Sequence, residues 1–313
     1  MRLPDLILDY LAYRRALGAL MKGEAFMLRA FRQSVAGTST TALTADQVRA
    51  YLHHGRVSPQ TIAKRHRALN GFYRYLATRH GIHLPALPRA PKASTSTFVP
   101  YIYSHEEIRR LLQAAPLACK SPLALLGEDT LRTVLLLLYG AGLRLGEAIR
   151  LDVGDVDLDE VVLTVRRTKF FKTRLVPLGK DLARVLVDYR QCCDRPPAPD
   201  SEGPFFRMRN GERIAQVTVE RTFRLLRTIA QVSRQGGARR QPRLHDLRHA
   251  AAVHRLIAWY RRGADLQYLL PRLATYLGHK DLSGTQHYLT LTLPLLQEAS
   301  KRFERYAGAC HHG

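Results

Sequence analysis

The chain has 313 residues, enough for two domains with cores of their own, and its 46% hydrophobic content excludes wholesale disorder. Forty-nine Lys plus Arg against 26 Asp plus Glu give a formal net charge of +23 and a sequence pI of about 10.5. Such an excess opposes a compact state unless an anion offsets it, which points to nucleic acid as partner. A ribosomal or membrane-surface protein carries similar charge but has no need of the site residues set out below. The longest apolar run, Val134 to Tyr139, is far too short to cross a bilayer, and Asp5 and Asp9 interrupt any signal-peptide pattern. Cys119, Cys192, Cys193 and Cys310 form neither a disulfide framework nor a CxxC pair and read as reduced thiols. Cys310-His311-His312 reads as a frayed tail rather than a metal site. The expectation is a cytoplasmic protein with no membrane, metal or cofactor.

In chain order, Leu6, Leu11, Leu17 and Leu20 mark one amphipathic helical segment running toward Phe31. Thr44-Ala-Asp-Gln47 is a capping box opening a short helix through Leu52. Ser58-Pro59 pairs an N-cap with proline at the first helical position, opening a longer helix to about Thr78. Its buried stripe is expected at Ile62, Leu69, Phe72, Tyr73 and Leu76, with Lys64, Arg65, Arg67 and Arg74 facing outward. Between Asp46 and Glu106 there is no acidic residue, while nine Lys or Arg occur. An ordinary solvated face mixes both signs, so this stretch, and those four cations in particular, is expected to meet a polyanion; a chance charge run is the alternative.

Four prolines between Leu84 and Pro100, with Ser94-Thr-Ser-Thr97, read as an interdomain linker. The expected division is a helical domain over 1–88, a linker over 89–103 and a second domain over 104–313. Ser104-His-Glu-Glu107 is a second capping box, and the helical pattern it opens continues to Tyr139. Gly140-Ala-Gly142 then makes the turn that aims Arg144. Val161 to Val165 and Arg174 to Leu178 read as the strands of a hairpin with the basic tip Arg166-Arg-Thr-Lys-Phe-Phe-Lys172. Beyond a Pro-rich loop, helices are expected to the end, so the fold class is mainly α with a small β-hairpin or sheet.

The chemistry concentrates late in the chain. His245 and Arg248 are one helical turn apart, so both can face one phosphate. Arg234 to Arg243 precedes them as a basic loop whose Arg239, Arg240 and Arg243 suit a nucleic-acid backbone. His279 and Tyr288 follow in Leu-Gly-His-Lys-Asp-Leu-Ser-Gly-Thr-Gln-His-Tyr288. Guanidinium groups grip phosphate through paired donors, imidazoles hold oxygen or move a proton, and a phenol can attack phosphorus to form an ester. No carboxylate cluster supports a metal nuclease.

In this order, Gly142-Leu-Arg144-Leu-Gly-Glu147, His245-Asp-Leu-Arg248, Leu-Gly-His279 and Tyr288 resemble the tyrosine recombinases, the phage-integrase family. The resemblance covers about 104 to 290, and it implies a tyrosine-recombinase catalytic domain preceded by a helical, SAM-like clamp. It implies Arg144 and Arg248 on the scissile phosphate, His245 as proton acceptor or phosphate donor, His279 as a further donor and Tyr288 as nucleophile. Alignment with the family's hairpin assigns the leaving-group acid to Lys169, with Lys172 as the nearby competitor or a phosphate contact. Glu147 either orients its neighbours or pairs with Arg150 along the helix, and Gly146 stands where serine is more usual. The implied reaction cuts and rejoins double-stranded DNA through a 3′-phosphotyrosyl link, without cofactor, in a tetrameric synapse that admits accessory recombinases.

A bacterial mobile element, moved by integration, excision or transposition, is the expected setting, with no arm-binding domain ahead of residue 1. Type IB topoisomerase activity and a catalytically idle DNA-binding regulator are the two alternatives. Past Tyr288, the stripe Leu295, Leu296, Ala299, Phe303 and Tyr306 marks a terminal helix, expected to pack on a neighbouring protomer or in cis.

Overall fold

A computed structural model describes residues 2–19, 21–90, 99–121, 123–166, 173–192, 203–237, 240–278 and 300. The chain divides into an N-terminal unit and a second unit that begins at Val99. The described secondary structure is helical apart from one three-stranded sheet, as the sequence leads one to expect.

The N-terminal unit is built from α1 (Leu3–Ala16), α2 (Lys22–Ser34), α3 (Ala45–His53) and α4 (Pro59–His80). The single segment expected toward Phe31 is two helices. The chain leaves α1 through Gly18 at φ 83° and enters α2 through Met21, which also has a positive φ of 50°. Leu17 is correspondingly 59% exposed, whereas Leu6 and Leu11 are buried. Thr44 forms the expected capping box with Gln47, and Ser58 accepts from the backbone N–H of Thr61. Each such cap is worth roughly 1 kcal/mol.

Helix α4 runs two residues past Thr78 and ends at Gly81 in the left-handed region. Its core residues are Leu69, Phe72, Tyr75 and Leu76, against Leu6, Leu11, Leu28 and Phe31. Ile62 and Tyr73, expected inside, are only partly buried, and Tyr75 takes the inner place with its hydroxyl on Asp9 at 2.6 Å. Leu84 and Leu87 pack on this core, and His66 bonds the Pro88 carbonyl at 2.8 Å. The proline-bearing segment is therefore part of the unit's body through Pro88.

The core of the second unit takes in Tyr103, which lies just ahead of the Ser104 capping box, is fully buried and donates to the Arg243 carbonyl. Helix α5 (His105–Ala118) is followed by a break, then by α6 (Glu128–Gly140). The helical pattern expected to continue to Tyr139 is thus interrupted, with Gly127 at the second N-cap. A four-residue helix α7 (Leu145–Ala148) leads through a 3-10 turn to β1 (Val156–Asp157), β2 (Val162–Val165) and β3 (Arg174–Pro177).

The ladder is antiparallel in the order β1-β2-β3, with Leu163 opposite Val176 and Val165 opposite Arg174. Strand β1 is too short to register as alternation, so only the β2–β3 hairpin is legible in sequence. Leu163 and Val176 point into the core while Leu175 is 65% exposed, the period-two pattern of a half-buried sheet. Helices α8 (Lys180–Cys192), α9 (Gln216–Ile229), α10 (Leu244–Arg261) and α11 (Leu266–Leu277) follow. Helix α6 packs on α8 and α10, and α5 packs on α9, around Leu131, Leu137, Leu186, Phe206, Leu226 and Leu247. Cys119 and Cys192 are free thiols. Among the described residues no helix is long and apolar enough to cross a membrane.

Candidate active site

The site gathers where two chain reversals meet. Gly142 turns the chain after α6 at φ 60°, and a Cβ there would lie 2.6 Å from Leu277. Gly278 ends α11 at φ 69°, and a Cβ there would lie 2.7 Å from the guanidinium of Arg174. Both glycines supply a left-handed backbone and close approach at once, which no L-side chain tolerates without strain. The end of α11 is thereby pressed onto the turn preceding Arg144.

Arg144 is the N-cap residue of α7, with its backbone N–H on Glu147 Oε2 at 3.0 Å. Its guanidinium donates to Glu147 Oε1 at 2.7 Å and to the Gly278 carbonyl at 3.0 Å, yet its side chain stays 41% exposed. Arg248, near the start of α10, is 1% exposed. It donates to the Gly142 carbonyl at 2.6 Å and the Leu277 carbonyl at 2.5 Å. Two arginines 104 positions apart in sequence thus converge on one helix end, the end that immediately precedes His279. Arg248 is more buried than a surface phosphate clamp would be, because both turns that shape the site hang from it.

His245 lies one turn before Arg248 on the exposed side of α10, edge-on to His249 with ring centroids 4.8 Å apart. Partial desolvation by the surrounding protein, then the Arg248 charge, with smaller effects from Arg243 and Arg144, hold its pKa below the ordinary histidine value despite the opposing Asp246. Its neutral form is therefore favoured near pH 7, as a proton acceptor requires.

Glu147 is the buried acid of the cluster, and it does not use Arg150 among the described ion pairs. Its partners are Arg144 and Arg174, the latter donating to Oε1 at 3.1 Å and Oε2 at 2.8 Å. Burial alone would raise its pKa. The forked bonds from Arg174, the Arg144 backbone N–H and the two guanidinium charges outweigh that and bring it to about 2. Arg174 is the residue sequence reasoning missed. It reads there only as the first residue of a strand, and the 27-residue separation from Glu147 is closed by the sheet.

Beside the cluster a concave surface of about 720 Å³ is lined by Arg144, Arg224, Arg227, Arg243 and His245 against one acid, Glu220. Of the loop cations, Arg240 is exposed, and Arg243 bonds the buried Asp246 at 2.9 Å while keeping 47% of its side chain exposed. A second concavity of about 700 Å³, lined by Val187, Tyr189, Phe205 and Met208, holds none of these residues. Among the described residues no group of three or more His, Cys, Asp or Glu side chains is arranged to hold a metal.

On the N-terminal unit, Lys64, Arg67 and Arg74 are exposed as expected. Arg65 differs: it is half-buried and donates to the carbonyls of Tyr51, Leu52 and His54, finishing the C-terminal end of α3. Lys169, Lys172, Arg239, His279, Tyr288 and the expected terminal helix lie outside the described residues.

The model of the phage integrase family matches residues 102–293. The chain is 37% identical over 313 residues to the integrase/recombinase y4rB of Sinorhizobium fredii, covering 95% of each chain. It is 29% identical over 269 residues to the tyrosine recombinase XerA of Pyrococcus furiosus, covering 85% of this chain and 82% of the relative. Among solved structures, the Tn1549 transposon integrase in complex with a circular intermediate DNA superposes with a TM-score of 0.64 at 16% identity, covering 97% of this chain and 99% of that one. A lambda integrase dimer bound to a COC′ core site gives 0.61 at 18% identity, covering 92% of this chain and 77% of that one. Those two likenesses concern the fold, whereas the family match and the full-length relative decide membership. The chain belongs to the phage integrase family and is a site-specific tyrosine recombinase, an enzyme that cuts and rejoins DNA.

Proposed function

We propose that this recombinase acts on double-stranded DNA through Tyr288, which attacks the scissile phosphate and leaves a 3′-phosphotyrosyl ester and a free 5′-hydroxyl. Arg144 and Arg248 carry the charge of the phosphate and of the transition state, and His245 accepts the phenolic proton. His279, next in sequence to the helix end that both arginines grip, supplies a further donor to the phosphate. Lys169 protonates the leaving 5′ oxygen.

A 5′-hydroxyl from a partner duplex reverses the step. The ester conserves the bond energy, so neither ATP nor any other cofactor takes part. The observation that carries this reading is the convergence of Arg144 and Arg248 on Leu277 and Gly278 beside an exposed, neutral-leaning His245. Exposed Lys64, Arg67 and Arg74, together with Lys172, Arg239, Arg240 and Arg243, bind the DNA backbone. The protein acts in the cytoplasm on a bacterial mobile element, and four protomers form the synapse, the helix after Leu293 packing between them.

Strand exchange between two labelled duplexes in the presence of a chelator tests the reading. Exchange products without metal or nucleotide are expected. Hydrolytic nicks that require divalent metal would overturn it, and relaxed circles without exchange would indicate a topoisomerase.

A further inference from the structure

Glu147 holds two guanidinium groups of different standing. Arg144 is 41% exposed and lines the concave surface, whereas Arg174 is 14% exposed and sits behind the carboxylate. The geometry divides the work between them. Arg174 covers both carboxylate oxygens with a two-pronged donor pair, the arrangement in which a guanidinium matches a carboxylate best. Arg144 shares only Oε1 through its side chain and sends its other terminal nitrogen to Gly278.

Two arginines and one carboxylate leave one net positive charge, and the exposed member carries it toward the concavity. Arg174 also reaches the Tyr276 carbonyl through Nε at 3.3 Å, and its guanidinium fills the space a Cβ on Gly278 would need. It stands opposite Val165 at the last described rung of the hairpin whose tip carries Lys169 in sequence. One side chain therefore ties the hairpin, the Arg144 turn and the end of α11 together.

We propose that Arg174 is a positioning residue for strand cleavage: it neutralises and locks Glu147, so that Arg144 presents an uncompensated charge to the scissile phosphate. This rests on the reading of Arg144 as a phosphate ligand. Without Arg174, Glu147 has Arg144 as its remaining ionic partner, the pair sums to zero charge, and the Arg144 guanidinium turns inward. The loss falls on the transition state, where phosphate charge is greatest, rather than on overall DNA affinity, which is spread over many cations.

The test is single-turnover cleavage of a nicked suicide half-site at saturating full-length enzyme, alongside half-site affinity and thermal unfolding. Arg174→Ala is expected to slow cleavage about a hundredfold, the usual scale for removing one preorganised electrostatic interaction, with affinity nearly unchanged. Arg174→Lys keeps the charge without the fork and is expected to fall between the two. The decisive variant is Arg174→Ala combined with Glu147→Gln, which removes the stranded carboxylate and should regain about tenfold of the lost rate, the scale of an electrostatic bias that moves a titration by about one pH unit.

A double variant no faster than Arg174→Ala, or losses of rate and melting temperature that track each other across all variants, would overturn the proposal in favour of a purely structural arginine. Arg144→Ala separates the two readings. If it cleaves like wild type, the phosphate-ligand reading itself fails. If it is inactive while Arg174→Ala is normal, only the role of Arg174 fails.

Discussion

Glu147 shows how far a single side chain sets the chemistry around it. Its folded-state pKa of about 2 lies below the ordinary 4.5, so its ionised form contributes stability that is present above the unfolded value. That contribution is lost as pH falls from 4.5 through about 2, and the shift corresponds to something on the order of 3 kcal/mol. Comparing denaturant unfolding of wild type and Glu147→Gln across that range checks it: the wild-type advantage should shrink as acid is added, and an advantage independent of pH would contradict the ion-pair account.

At this scale the sequence is informative where a residue's place is local. Arg144 follows a glycine turn and His245 and Arg248 lie about one helical turn apart, local motifs that the family resemblance turns into site residues. The Glu147–Arg174 pair is closed by a sheet and the burial of Arg248 by α11, and neither long-range pairing leaves a mark in local pattern.

Among the elements, α4 separates cations that look alike in sequence. Lys64, Arg67 and Arg74 fall on one exposed face by helical spacing, while Arg65 turns away to bond three carbonyls at the end of α3. Replacing Lys64, Arg67 and Arg74 by Ala should weaken half-site binding and lower the slope of log affinity against log salt by about 0.9 for each phosphate left without its cation. Arg65→Ala should instead lower the melting temperature and leave that slope alone, since its donors serve helix ends rather than solvent. Titrations at several salt concentrations decide, and an unchanged slope in the triple variant would mean that this face does not meet DNA.

Caps are the most legible element signals, because Thr44, Ser58 and Ser104 each carry out the bond their position predicts. The breaks between α1 and α2 and between α5 and α6 are signalled only by Gly18 and by Ser121-Pro122 and Gly127, which apolar neighbours mask. Apolar periodicity continues across both, and the reversals depend on backbone conformations at Gly18 and Met21 and on the N-cap at Gly127.

For the molecule as a whole, a net charge of +23 and a cluster whose charge is balanced to leave positive potential over a concave surface both favour a polyanionic substrate. The proposed chemistry depends above all on Tyr288 joining the DNA covalently. Trapping the enzyme on a nicked suicide half-site, digesting it with protease and sequencing the DNA-linked peptide tests this most directly. The expected result is a 3′-phosphate ester on the peptide containing Tyr288, a free 5′-hydroxyl on the released strand, and no adduct from Tyr288→Phe despite normal binding. An adduct on another tyrosine, or one that persists in Tyr288→Phe, would contradict it.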